Sequence, residues 1–242
     1  MKSRCVLVAV LMLCFVFLIG SGVKTAFGLP SIVGEWLFDI SGVEQGGAVM
    51  AFSDDGTLEG YGLTLQRGYF EFDGTYTIDT KGIISGTYGL PGGGSESFTG
   101  KVDKKGTKVT IKTNGPNLKG IRLPSVDPVI PQEWVVKVSR LKGAFDPFTI
   151  TPRGGIARLY DFHGVGTFQD IDTMTITVDC IFFLTSKSVA YGVYNASTAV
   201  GAQSEETQTG VLSGKINLSS GKLSFKVLDA EGGRITLSGV VN

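Results

Sequence analysis

The chain of 242 residues has no excess of either charge, one histidine and three cysteines. Its 22 Lys and Arg balance 22 Asp and Glu, so no basic face is on offer to nucleic acid or anionic lipid. With His163 alone, no centre can be built on two histidines. Cys5 and Cys14 sit in an apolar N-terminal segment, which leaves Cys180. A chain with that one thiol forms no internal disulfide, and its stability rests on ordinary core packing. Catalytic signatures are missing as well: there is no G-x-S-x-G elbow and no H-E-x-x-H run. No segment after residue 28 carries a convincing helical period.

The N-terminus reads as an export signal. Lys2 and Arg4 precede an apolar run from Cys5 to Gly20, and Ala26-Phe27-Gly28 supplies small residues for cleavage after Gly28. The run is too short for a comfortable membrane span of about 20 residues, so no stable transmembrane segment is expected once it is removed. Leu13 before Cys14 argues against a lipoprotein signal. Removal of residues 1–28 leaves 19 basic and 22 acidic residues, a formal charge of −3. The expected location is periplasmic or extracellular.

Glycine is abundant, with 35 residues, and it punctuates runs rich in Val, Ile, Thr and Phe. From Met174 to Leu184 the even positions are apolar while 175, 177 and 179 are polar. Trp36, Phe38 and Ile40 share one face in the same way. Period two over such lengths is a half-buried strand. Cys180 falls on the apolar phase and reads as a small buried hydrophobe.

The chain also repeats itself. Glu35-Trp36-Leu37-Phe38-Asp39-Ile40-Ser41 returns as Glu133-Trp134-Val135-Val136-Lys137-Val138-Ser139. Residues 34–61 align with 132–159, 69–89 with 175–195, and 98–123 with 212–237. The expected fold is therefore all-β, with two tandem homologous antiparallel meander units of about eight strands each, as barrel or sandwich. Strands of the first unit are expected at 34–41, 47–53, 57–65, 69–79, 82–89, 96–103, 107–113 and 119–124. The expected organisation is a signal at 1–28, repeat 1 at 29–124, a linker at 125–131 and repeat 2 at 132–242. Ser53–Gly56, Asp79–Gly82 and Asp103–Gly106 read as hairpin turns, opened by a side-chain acceptor and closed by a left-handed glycine. Trp36 and Trp134 read as core plugs.

Gly34-Glu35-Trp36 resembles the G-x-W opening of the calycin barrels, the lipocalins and avidin-like proteins. Asp55-Gly56-Thr57-Leu58-Glu59-Gly60 resembles an avidin-type second hairpin. The resemblance implies a small up-and-down barrel and covers some 30 residues of the first copy. Copy 2 has Gln132 in place of the glycine, so no ligand residue of that family is carried over.

The alignment offset grows by eight twice, placing gains in copy 2 around Tyr160–Gly166 and around Asn195–Thr209. Read as loops, both gains fall on one end of an up-and-down meander, where binding commonly resides. The candidate ligand-binding residues are accordingly Tyr160, Asp161, His163, Asn195, Glu205 and Glu206. The expectation is an exported, non-enzymatic binding or structural protein, with a small molecule, glycan or protein partner at the loop rim of repeat 2. No cofactor, metal or catalytic residue is assigned, and no nucleic-acid partner. Two alternatives stand beside it: an outer-membrane β-barrel, and a small-barrel isomerase or cyclase using His163 with Asp161 and Tyr160.

Overall fold

The computed structural model describes residues 31–90, 92–139, 143–169, 173–200, 206–229 and 232–242. The signal-like segment and Glu205 lie outside the described residues. No helix occurs among the described residues, and none there is long and apolar enough to cross a membrane.

The first repeat consists of β1 (Gly34–Ser41), β2 (Gly46–Phe52), β3 (Thr57–Thr64), β4 (Gly68–Ile78), β5 (Ile83–Leu90), β6 (Gly94–Val102), β7 (Lys108–Lys112) and β8 (Asn117–Arg122). Each pairs antiparallel with the next, and β8 pairs with β1 to close a barrel. The expected strand limits hold to within two residues. The three hairpin turns form where the sequence implies, but in the first the side-chain acceptor is Asp55, which takes the Thr57 N–H at 2.9 Å, in place of Ser53. Gly56, Gly82 and Gly106 have φ of 86°, 76° and 64°, and each donates to the carbonyl of the residue that opens its turn. Asp79 and Asp103 also accept backbone N–H bonds from the strand that follows.

The second repeat comprises β9 (Glu133–Val138), β10 (Gly143–Phe145), β11 (Phe148–Pro152), β12 (Leu159–Gln169), β13 (Thr173–Leu184), β14 (Val189–Val200), β15 (Glu206–Asn217), β16 (Lys222–Asp229) and β17 (Arg234–Val241). It closes as well: β9 pairs with β11 and β17, and β12 pairs with both β11 and β13. Together β10 and β11 are the counterpart of β2, one strand broken at Asp146-Pro147. Sandwich is thus ruled out in favour of two eight-stave barrels.

Strand register corrects the alignment in two places. Phe52 faces Leu58 in the first barrel, whereas its counterpart Ile150 faces Phe162. The third strand of copy 2 therefore lies six residues later than aligned, because the 153–158 hairpin has lengthened at the opposite end of the barrel. Likewise Ile111 faces Leu118, while Phe225 faces Leu237, so the final hairpin of copy 2 has gained five residues. Tyr160–Gly166 is not a loop but part of β12, and Asn195–Val200 is the upper part of β14. Cross-strand pairing extends the alternating pattern instead of interrupting it. The gains in β14–β15 raise the barrel wall: β5–β6 pairing ends at Leu90–Gly94, but β14–β15 pairing continues to Thr198–Glu206.

Each barrel is filled by its own apolar core around Trp36 or Trp134, both fully buried. The indole of Trp36 donates to the Ile32 carbonyl at 2.6 Å, and that of Trp134 to the Pro131 carbonyl at 2.7 Å. A third cluster joins the barrels through their outer faces. Leu37, Val49 and Leu63 of the first meet Leu159 and Phe183 of the second. Asp39 accepts bonds from the backbone and hydroxyl of Ser186, and Tyr61 donates to the Ala157 carbonyl at 3.1 Å. The 125–131 segment is held against the second barrel. The Asp127 carboxylate meets the backbone N–H and the guanidinium of Arg158, and Ile130 enters the core.

Candidate ligand chamber in the second barrel

The structure separates the residues expected to form a rim. Tyr160 points inward, is 2% exposed, stacks on Phe182 at 5.4 Å and donates to the Pro128 carbonyl at 3.2 Å. Burial pushes its phenol up to about 12. Asp161 and His163 point outward from the same strand, since neighbours at odd and even positions occupy opposite faces. Asp161 pairs with Arg153 at 3.0 Å, and His163 Nδ1 lies 2.6 Å from Asp179 Oδ1. Ladder pairing places Thr149, His163, Asp179, Asn195 and Thr209 in one row across the outside of the barrel. His163 and Asn195 are thus brought near each other, with Asp179 between them, while Tyr160 belongs to the core. Glu206 is exposed at the start of β15. The row is exposed to water.

Concavity lies inside the second barrel, at the end where the wall is raised. A chamber of about 120 Å³ is bounded on one side by Phe145, Phe148 and Phe162. Facing them are Ile176 and Val178 of β13, Tyr194 and Ala196 of β14, and Leu212 of β15. Among the described residues its only non-aromatic polar lining comes from Thr198 and Gln208, and no charged side chain lines it.

Strand register identifies the same space in the first barrel, where it has shrunk to about 30 Å³. Val138 stands at the position of Ile40, Phe148 at Met50, Val178 at Phe72, Tyr194 at Tyr88 and Ala196 at Leu90. Leu212 replaces Phe98 by the same register. Smaller side chains on β13–β15 therefore open the chamber, while Phe145, Phe148 and Phe162 thicken the opposite wall. Gly164 and Gly166 make room for that wall: a Cβ on either would lie about 2 Å from the ring of Phe148 or Phe145, at 2.0 and 2.2 Å.

An ionic roof covers the first barrel's space. Arg67 donates to Glu44 Oε1 from Nε at 2.8 Å and Nη2 at 2.7 Å, with Glu96 at 3.5 Å. The Glu44 carboxylate keeps the guanidinium firmly charged. Tyr88 donates to Glu96 at 2.8 Å, and burial with that carboxylate pushes its phenol well up. Gly210 replaces Glu96, and Tyr194 lies against it, 2.6 Å from where a Cβ would be.

No serine, cysteine, histidine or carboxylate is among the described residues that line the second chamber. Cys180 is buried, and desolvation pushes its thiol well above the ordinary range, into an inert form. No cluster of three His, Cys, Asp or Glu suited to a metal occurs among the described residues. The chamber-forming phenylalanines were visible in the sequence only as apolar strand positions. Their distinction from core residues lies in which larger or smaller side chains face them across the barrel. No protein-family model matches the chain, and no curated protein matches its sequence.

Proposed function

We propose that this is an exported, non-enzymatic binding protein whose second barrel takes one small, neutral, largely apolar molecule. The carrying observation is the chamber of about 120 Å³, with no charged side chain among its described lining residues, set against its closed twin in the first barrel. An apolar cavity of roughly 150 Å³ is enough to hold benzene, so a ligand of about that size, with a substituent toward Gln208 and Thr198, suits this one. A buried carboxylate or ammonium would find no counter-charge among the described lining residues and would be strongly disfavoured. The export assignment rests on the signal-like N-terminus.

Both barrels hold apolar side chains inside and place Lys, Glu, Asp and Thr outside, the reverse of the lipid-facing pattern of an outer-membrane barrel. His163 stands on the outer face, away from the chamber, which removes the support for an isomerase or cyclase built on it.

The test is calorimetric titration of the mature chain with para-fluorophenol, hexanoate and hexylammonium. Saturable binding of the phenol at one per chain, with neither ion binding, is expected. Ala196→Phe fills the chamber and should abolish the signal while leaving the circular dichroism spectrum unchanged. Equal binding of the ions, or undiminished binding by the filled variant, overturns the reading.

A further inference from the structure

We infer that the base of the second barrel carries a further site, a cleft between two turns that takes an anionic group of an acidic polysaccharide. The balanced charge of the whole chain hides a local segregation, which the two copies bring out. At this end of the first barrel Asp79 and Lys81 lie in the turn after β4, and Lys101 and Asp103 stand where β6 ends. Two carboxylates there accompany two ammonium groups. Register puts Thr185, Lys187, Lys215 and Asn217 at the same four positions. Both lysines are kept and both carboxylates are gone.

The exchange preserves the turns. Asp79 Oδ1 accepts the Ile83 N–H at 2.8 Å, and Thr185 Oγ1 accepts the Val189 N–H at 3.1 Å. Asp103 Oδ1 accepts the Lys108 N–H at 3.0 Å. Asn217 Oδ1 accepts the Ser220 N–H at 3.1 Å and the Ser219 hydroxyl at 2.8 Å. Each turn needs an oxygen acceptor and not its charge. What the second barrel has given up is the negative charge beside Lys187 and Lys215. Those two lysines line a cleft of about 320 Å³ together with Asn217 and Ser219, and no carboxylate is among its described lining residues. With Oδ1 of Asn217 accepting, its NH2 is the end left to donate. Lys187 lies 3.7 Å from Asp39 of the first barrel, a carboxylate that already takes the Ser186 N–H at 3.1 Å and hydroxyl at 2.9 Å. Lys215 has no ion pair among the described residues.

A lone anion between two surface lysines would be held weakly. The surrounding face extends the contact. Lys215 faces Ser224 across the ladder, and Lys222 and Lys226 flank that serine, each about 7–8 Å diagonally from Lys215. Ser238 and Lys137 continue the row on β17 and β9, and all four lysines are exposed. The arrangement is shared by the copies, since Lys101 faces Thr110 between Lys108 and Lys112. Other outward positions have changed: Thr75, Ser85 and Thr87 have become Ile181, Tyr191 and Val193. A polymer with a charge on successive units engages cleft and lysines together, and each contact raises the effective concentration of the next. Serine hydroxyls between the lysines suit the hydroxyls of sugars. The one aromatic residue of β15–β17 is Phe225, which is in the core, so these strands offer no ring for a nucleic-acid base to stack on.

Calorimetric titration of the full mature chain with oligoguluronate and heparin hexasaccharides tests the site. One acidic oligosaccharide per chain is expected in dilute buffer, weakening at least tenfold in physiological salt, with no binding of neutral maltohexaose. Asn217→Asp restores a carboxylate that the first barrel carries at the same place, and should weaken binding at least fivefold with the circular dichroism spectrum unchanged. Lys215→Gln should do the same, while Lys101→Gln, the matching change in the first barrel, should cost less than twofold. Equal losses from the two glutamine variants would show diffuse charge attraction and overturn the cleft. Failure of both acidic oligosaccharides to bind overturns the proposal, as does tighter binding of oligothymidylate or of phosphatidylglycerol vesicles.

Discussion

The Arg122 guanidinium lies 4.2 Å over the ring of Trp36 and closes the base of the first barrel. Its nitrogens donate to the carbonyls of Ser31 at 2.7 Å, Gly106 at 3.2 Å and Val33, tying the segment before β1 to the turn before β7. Val241 holds the same register position opposite Trp134, so the second barrel is closed without a cation. Arg122→Ala removes a stacked cation and leaves three carbonyls to water. A loss of about 2–3 kcal/mol in urea unfolding is expected, against under about 1 kcal/mol for Val241→Ala. Equal losses would mean that the arginine acts as packing alone.

Gly47 marks where the barrels touch. A Cβ there would lie 2.3 Å from the Phe183 ring, on the face that Asp39 also uses to bind Ser186. Gly47→Val should therefore part the barrels without unfolding either. The expected result is two resolved thermal transitions where the wild type gives one, and a larger radius of gyration in X-ray scattering. A single transition at a lower temperature would place the damage inside the first barrel instead.

The fold was legible because alternation and turn chemistry were consistent over long stretches, from Trp36-Phe38-Ile40 to Asp79–Gly82. The site was less so. Tyr160 and His163 are three residues apart, and only the continuation of β12 through them puts one in the core and the other in water. Sequence could not separate a longer loop from a longer hairpin, since Asn195–Val200 contains the small polar residues of either. Nor could it foresee the chamber, which arises from exchanges such as Phe72 to Val178 and Phe98 to Leu212 on strands that meet only in the closed barrel.

Ser188 occupies the turn position of Gly82 and has the same left-handed backbone, φ 58° against 76°. Both turns share their bonds: Ser188 donates to the Thr185 carbonyl and Gly82 to that of Asp79. A side chain in this region costs about 1 kcal/mol. Ser188→Gly should raise the stability of the second barrel by about 0.5–1 kcal/mol, allowing for the added freedom of the unfolded chain. Gly82→Ser should cost the first barrel a similar amount. Chemical denaturation of the two variants, followed by the fluorescence of the separate tryptophans, checks both signs.

Alkali should loosen the molecule at identifiable points. Desolvation pushes the phenols of Tyr61, Tyr69 and Tyr160 up to about 12 from an ordinary value of 10.0. A folded-state pKa above the unfolded one gives stability that is complete below pH 10 and is lost as the pH rises toward 12. Tyr61 donates across the barrel junction and Tyr160 to the linker, so ionisation removes both tethers. Phenolate absorbance should rise together with loss of near-ultraviolet dichroism in that interval. Titration of all tyrosines near pH 10 with the dichroism intact would sink this prediction.

Bulk and charge both close the first barrel, and their shares can be separated. Arg67→Met leaves the Glu44 carboxylate, whose side chain is 12% exposed, without its partner, at a cost of about 2–3 kcal/mol. Adding Glu44→Gln should recover roughly half of that, because an ion pair replaced as a unit costs far less than one broken. Neither variant should bind para-fluorophenol at a second site, since Phe70, Phe72 and Phe98 still fill the space. Phe72→Val with Phe98→Leu copies the second barrel's side chains and costs a further several kcal/mol through the cavity it creates. Only with the uncharged roof and the smaller wall together should calorimetry show two ligands per chain. A second ligand after the roof exchange alone would assign closure to Arg67, and a count of one in the combined variant would mean that the raised β14–β15 wall is also required.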